Sequence, residues 1–372
     1  MKTTIHLNGL ADVLTVLPYQ LGFHPQSCLV AVSLRGTRMG LVQRIDLPPP
    51  EHVSDAVAAM ITPLRRDRPR AMLLIGYEER EGDSRAMLDE MAAACRARGI
   101  NVADRVAVRD SRWFDLDCSQ RCCPPEGRPL PPPSAVPAVA EFVGREICPL
   151  PNRSALADLM GPNRSLTSSD LGEVTRLAER WLDRRLRATV AGEKTRTLSA
   201  RDKGLVDFRA AELALWGRVL RADDEAEPIQ ALTPRDLAML AVSLTDVDLR
   251  DALIAWLCPG VLPEDVMDRT MTVQMGQVLS EPPWLGGDEP EMLGVIGQQR
   301  VERRLCDLSA ALPDPLAVST LTVLASFAWW RGDGALTRVA LDRALRVDPH
   351  YRLAQLLERM VDLAIRPEGV PA

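Results

Sequence analysis

Pro18-Tyr-Gln-Leu-Gly-Phe-His-Pro25 leads into Ser27-Cys-Leu-Val-Ala-Val-Ser-Leu34, a polar connection Arg35-Gly-Thr-Arg38, and Met39-Gly-Leu-Val-Gln-Arg-Ile-Asp-Leu-Pro48. Two apolar runs, 28–34 and 39–45, are each about a strand long, and Gly36 between them can take the positive φ of a short connection. The spacing predicts a β-hairpin. Side chains alternate along a strand, so Leu41, Gln43 and Ile45 face one side while Val42, Arg44 and Asp46 face the other. Pro48, Pro49 and Pro50 stop the ladder because proline has no amide hydrogen. Arg44 and Asp46 are expected to pair on their shared face and to hold the loop Gly22 to Pro25 by charge-assisted hydrogen bonds.

Working outward, Leu10, Val13, Leu14 and Leu17 form a helical stripe that Pro18 is expected to end. Val53, Val57, Met60, Ile61 and Leu64 form another. The run Ala71-Met-Leu-Leu-Ile-Gly76 is apolar throughout, as a strand buried on both faces requires. A helix over 84–98 stops at Gly99, and strands follow over 101–108 and 112–116. Helices alternating with buried strands, together with the early hairpin, predict an α/β domain with a mixed sheet over residues 1–165. A Cys- and Pro-rich loop occupies 117–137. From about residue 165 onward only helical spacing recurs, so residues 166–372 are expected to form an all-α carboxyl-terminal domain. It ends in a tetratricopeptide-like helical hairpin at 320–365, with Gly332-Asp333 at one turn and Asp348-Pro349 at the next. No second copy follows at the 34-residue period of such repeats, which favours plain helical packing over a peptide-binding groove.

Several stretches resemble the actinobacterial domain-of-unknown-function family 4192. They are Pro18-Tyr19, Leu21-Gly-Phe-His-Pro25, Arg44 with Asp46-Leu-Pro48, Cys122-Cys-Pro124 with Glu126-Gly127, Val247 with Arg250-Asp251, and Trp329, Gly332, Leu341, Arg343-Ala-Leu345, Asp348-Pro349. The resemblance spans nearly the whole chain. It implies no substrate, cofactor or catalytic residue.

Composition narrows the function classes. At 46% apolar and 26% charged residues, the 372-residue chain has the make-up of a globular protein large enough for two cores. Only three of its 45 basic residues are lysine (Lys2, Lys194, Lys203), a skew of coding bias. Acidic residues outnumber basic ones, the net charge is −6, and both signs are interspersed, which argues against nucleic-acid binding. Met1 to Asn8 lacks the apolar core of a secretory signal and no 18-residue apolar stretch occurs. The expectation is a cytoplasmic, membrane-free protein whose partner is another protein.

Two constellations could carry chemistry. In open α/β sheets ligands bind beyond the carboxyl ends of strands, which here singles out Asp46, Glu78, Glu79, Arg109 and Asp110, with His24 in the loop before the hairpin. Such groups suit acid–base work if their pKa values are driven apart, and are solvated turn charges otherwise. The second constellation is Cys118, Cys122 and Cys123 with Cys148. Four thiolates can close a zinc site, but only the first pair has a knuckle spacing. Packing, a disulfide and metal binding all remain open for them, and spacing alone sets the expectation of a largely zinc-free protein. No glycine-rich phosphate loop, nucleophile elbow or His-Glu-x-x-His helix is present, so no cofactor is called for. The residues point to a non-catalytic interaction or regulatory module. The alternatives are an enzyme with its site at the strand ends and a thiol-based metal-binding or redox-sensing protein.

Overall fold

The computed structural model describes residues 6–36, 38–118, 123–161, 167–194, 198–223, 225–263, 268–279, 282, 284 and 291–365. The chain divides into two compact units, Lys2–Arg153 and Ser154–Val361.

In the first unit, helix α1 (Leu10–Leu21) precedes the hairpin strands β1 (Cys28–Arg35) and β2 (Arg38–Asp46). Then come α2 (Val53–Asp67), β3 (Ala71–Tyr77), α3 (Arg85–Arg96), β4 (Asn101–Arg109), β5 (Arg112–Asp115), β6 (Arg128–Pro129) and α4 (Pro137–Val143). The strands form one six-stranded sheet in the order β2-β1-β3-β4-β5-β6. Only β3 and β4 run parallel, joined through α3; the other neighbours are antiparallel. The sheet is mixed, as the alternation of helix and strand patterns predicts.

β1 is paired on both sides, and its first six residues are fully buried. Leu29 and Ala31 of β1 join Met72 and Leu74 of β3 against Val57, Ile61 and Leu64 of α2 and Leu88, Met91 and Cys95 of α3. Leu41 and Ile45 of β2 pack on the same cluster, the face their alternation assigns them. At the far end of β1, the Ser33 hydroxyl donates to the Asp67 carboxylate at the end of α2 and accepts the Leu41 N–H at 2.9 Å. A side chain at Gly40 would collide with both Ser33 and Asp67, so the glycine lets hairpin and helix meet.

Three local expectations are corrected. α1 continues through Pro18 to Leu21 and closes at Gly22 with φ 77°. Pro18 costs one helical hydrogen bond, but it is buried beside Leu17 and Leu21, and that burial offsets the loss. β6 lies inside the proline-rich stretch, where proline is tolerated because the strand is at the sheet edge. The loop Gly22 to Pro25 is held by backbone bonds, His24 N–H to the Leu150 carbonyl at 2.9 Å and Leu150 N–H to the Gly22 carbonyl at 2.8 Å. Arg44 does pair with Asp46, and its guanidinium sits 5.9 Å from the Phe23 ring centre.

The second unit is helical among its described residues. It comprises α5 (Arg153–Asp158), which crosses the boundary, α6 (Ser168–Lys194), α7 (Leu198–Val219), α8 (Pro234–Ser243), α9 (Val247–Leu257), α10 (Arg269–Val278), α11 (Glu291–Ala311), α12 (Asp314–Arg331), α13 (Gly334–Val347) and α14 (Arg352–Asp362). Helix starts follow local chemistry: Thr233 and Asp236 form a reciprocal capping box on α8, and Asp246, Asp268 and Asp333 cap α9, α10 and α13. α12 ends at Gly332 with φ 86°, the left-handed residue that closes a helix.

A buried polar network ties α6, α7 and the start of α9. Trp181 Nε1 and Arg185 Nη1 donate to Glu212 Oε1 at 3.2 and 3.0 Å, while Arg185 and Arg209 both reach Asp246 and Arg209 Nη2 reaches Asp248 at 2.8 Å. Glu212 is fully buried, and its second oxygen has no hydrogen-bond partner among the described residues. Burial pushes its carboxyl up from 4.5 to about 7 against the pull of Arg185. The folded protein therefore retains this proton at pH values where the unfolded chain has released it, and stability falls as pH rises from 4.5 to about 7. Urea unfolding near pH 5 and about pH 7.5 should show Glu212→Gln losing less stability across that interval than the parent, by on the order of 2 kcal/mol. Parallel pH dependences would refute this account.

Candidate functional site

The register brings the expected strand ends to one edge of the sheet. Cys28 lies opposite both Asp46 and Tyr77, and Tyr77 lies opposite Val108. The start of β1 and the ends of β2, β3 and β4 therefore share that edge, with Glu78 and Arg109 side by side on it.

Glu78 and Arg109 meet directly. Arg109 Nη1 donates to Glu78 Oε2 at 3.1 Å, and Nη2 donates to Glu81 at 3.0 Å. Glu78 also accepts from the Ser84 hydroxyl at 2.6 Å, from the Ser84 N–H at 3.1 Å and from the Gly82 N–H at 3.3 Å. Its side chain is 3% exposed. A buried carboxylate receiving four donors is held as a structural anion that fastens the β3–α3 turn. Asp46 lies apart from this knot, 69% exposed and paired with Arg44, while Glu79 accepts from the Ser27 hydroxyl at 2.8 Å. His24 is exposed, and Asp110 occupies the tight β4–β5 turn with φ 50°.

The cysteines separate into two kinds. Cys95, Cys258 and Cys306 are buried, and desolvation pushes their thiols up; Cys28 is pushed up to about 11 although Arg44 beside it opposes the shift. Cys118 and Cys123 are partly exposed, and their sulfurs and a carboxylate oxygen of Asp115 lie within 4.8 Å of one another. Cys148 is exposed and outside this group, and Cys122 lies outside the described residues.

Asp115 is the member that cysteine spacing does not supply. Its Oδ1 accepts the N–H groups of Asp117 at 3.0 Å and Cys118 at 3.1 Å, leaving Oδ2 4.0 Å from the Cys123 sulfur. The signal was available: an Asp two and three residues before the amides it caps is the pattern of an Asx turn, and Asp115-Leu-Asp-Cys118 has that form. On the other side of the loop, the Gly127 N–H donates to the Pro124 carbonyl at 2.9 Å. Arg112 holds the Glu126 and Gly127 carbonyls at 2.6 and 2.7 Å. Gly127 has φ 73°, and a Cβ there would lie 2.6 Å from the Phe114 ring. Only glycine permits both that backbone and that approach. Phe114 also carries the Arg109 guanidinium, 3.9 Å from its ring centre.

These features define a two-unit protein, a mixed α/β sheet followed by helices, carrying a thiol–carboxylate cluster and a locked set of strand-end charges. The chain belongs to the family described as Domain of unknown function (DUF4192), whose model matches residues 11–268 and 291–368. No curated protein and no solved structure matches it.

Removing the anchor of the strand ends should be costly, because Arg109 would be left without its buried partner. Glu78→Ala is expected to lower unfolding stability by about 3 kcal/mol. Chemical denaturation reads this, and a loss below about 1 kcal/mol would show that the knot is not structural.

Proposed function

We propose that the chain is a non-catalytic interaction or regulatory module that works in the cytoplasm and engages a protein partner. The observation that carries this reading is the saturation of Glu78: the best-placed acid–base group at the strand ends is spent on Ser84, Gly82 and Arg109. A proton carrier needs a lone pair that can reach substrate, and all the polar positions around this carboxylate are committed to holding a turn.

Residues that carry the family resemblance in the helical unit also have structural roles. Gly332 closes α12, and Arg343 joins the Met160 and Ser309 carbonyls to the Asp314 carboxylate. Arg250 reaches the Tyr351 hydroxyl at 3.4 Å, and that hydroxyl donates to Ser319 at 3.1 Å. A protein surface is available on α6, where Leu182 and Leu186 stand one turn apart and 36% and 56% exposed. Among the described residues no helix is long and apolar enough to cross a membrane. The packed thiols of Cys95, Cys258 and Cys306 suit a reducing compartment.

The test compares turnover with complex formation. The purified chain is incubated with a metabolite extract and followed by untargeted mass spectrometry, in parallel with crosslinked capture from the native host. A specific protein complex that persists in His24→Ala and Asp46→Asn but is lost in Leu182→Asp/Leu186→Asp is the expected result. Time-dependent depletion of a metabolite that requires His24 or Asp46 would replace this reading with an enzyme.

A further inference from the structure

We propose that Asp115, Cys118 and Cys123 are ligands in a binding site for a borderline-soft divalent cation, zinc foremost. This goes beyond the interaction reading and does not depend on it.

The three donors come from a strand end and from both flanks of the same loop. Asp115 is the last residue of β5, and its Oδ1 is occupied by two backbone N–H groups, so the carboxylate is aimed with Oδ2 toward the Cys123 sulfur. One of those amides belongs to Cys118, so the same carboxylate orients a second donor. Cys123 is placed from the opposite direction by the Pro124–Gly127 turn, whose carbonyls Arg112 grips and whose glycine is wedged under Phe114. Such outer support is what holds metal ligands in register. The entropy of ordering the donors is thereby met by contacts that need no ion.

Distances and donor chemistry agree with a cation. In a tetrahedral site with metal–sulfur bonds near 2.3 Å, neighbouring ligand atoms are about 3.5 to 4 Å apart. The Asp115–Cys123 pair is already at 4.0 Å, and all three donors fall within 4.8 Å. Two thiolates and one carboxylate select zinc-like ions over magnesium or calcium, which prefer oxygen alone. Arg128 Nη2 lies 4.0 Å from the Cys123 sulfur. Cysteine spacing alone predicted little zinc because it counts thiols, whereas the third ligand here is a carboxylate.

Metal-stripped, fully reduced full-length protein is titrated with cobalt(II), which reports thiolate ligation by charge-transfer absorption, and with zinc in competition against a chromophoric chelator. About one ion per chain is expected, with roughly tenfold or greater weakening in each of Cys118→Ser, Cys123→Ser and Asp115→Ala. Cys148→Ser and Cys306→Ser should bind as the parent does. Asp115→Asn separates ligation from support: its amide oxygen can still accept both backbone N–H groups, so the metal-free melting temperature should stay while affinity drops. Absence of a thiolate band, or a band that survives in both Cys118→Ser and Cys123→Ser, would overturn the proposal. So would Asp115→Asn binding at parental strength.

Discussion

The ion pair between Glu78 and Arg109 is the constraint on which the α/β unit turns. It closes the β3–α3 turn through Glu78 and fixes the end of β4 through Arg109. From there the coupling continues physically: the same guanidinium packs on Phe114, Phe114 fills the space a side chain at Gly127 would need, and Gly127 ends the turn that places Cys123. Each link excludes an alternative. Loss of the Glu78 carboxylate leaves the arginine on its exposed partner Glu81, loss of the ring removes the wall against Gly127, and a larger residue at 127 displaces the loop.

Much of the architecture was legible because it rests on alternation. Leu41 and Ile45 face the α2–α3 cluster because a strand has period two, and 71–76 reads as buried because both of its faces are apolar. Pro18 misled because propensity counts its missing hydrogen bond but not the burial that offsets it, and β6 was hidden because two residues carry no periodicity. At the site, sequence named the strand-end charges and the thiols but could not say which of them touch. Glu78 joins Arg109 across 31 positions, a contact that only the parallel pairing of β3 with β4 creates. Asp115 was missed because metal spacing rules were applied to cysteines, although its local turn pattern was visible.

In the helical unit the abundance of arginine acquires a structural use. Arg304 donates to the Val219 and Arg218 carbonyls at 2.6 and 2.9 Å, Arg300 to the Ala222 carbonyl at 3.2 Å, and Arg343 to the last turn of α11 at Ser309. The Arg218, Val219 and Ser309 carbonyls lie in the last turns of α7 and α11, where a helix has no following turn to donate to them. A planar guanidinium can serve two or three such acceptors at once in fixed directions, which an ammonium on a flexible stem does less well. The arginines thus help to close the ends of α7 and α11.

The short outer strand β6 also decides how the sheet can meet other chains. It offers two residues, one of them Pro129, which has no amide hydrogen to donate. An incoming strand finds too few hydrogen-bonding groups there to form a ladder, so this flank is protected against edge-to-edge polymerisation. The opposite flank is β2, nine residues long, which presents a much longer run of backbone groups to an incoming strand than β6 does.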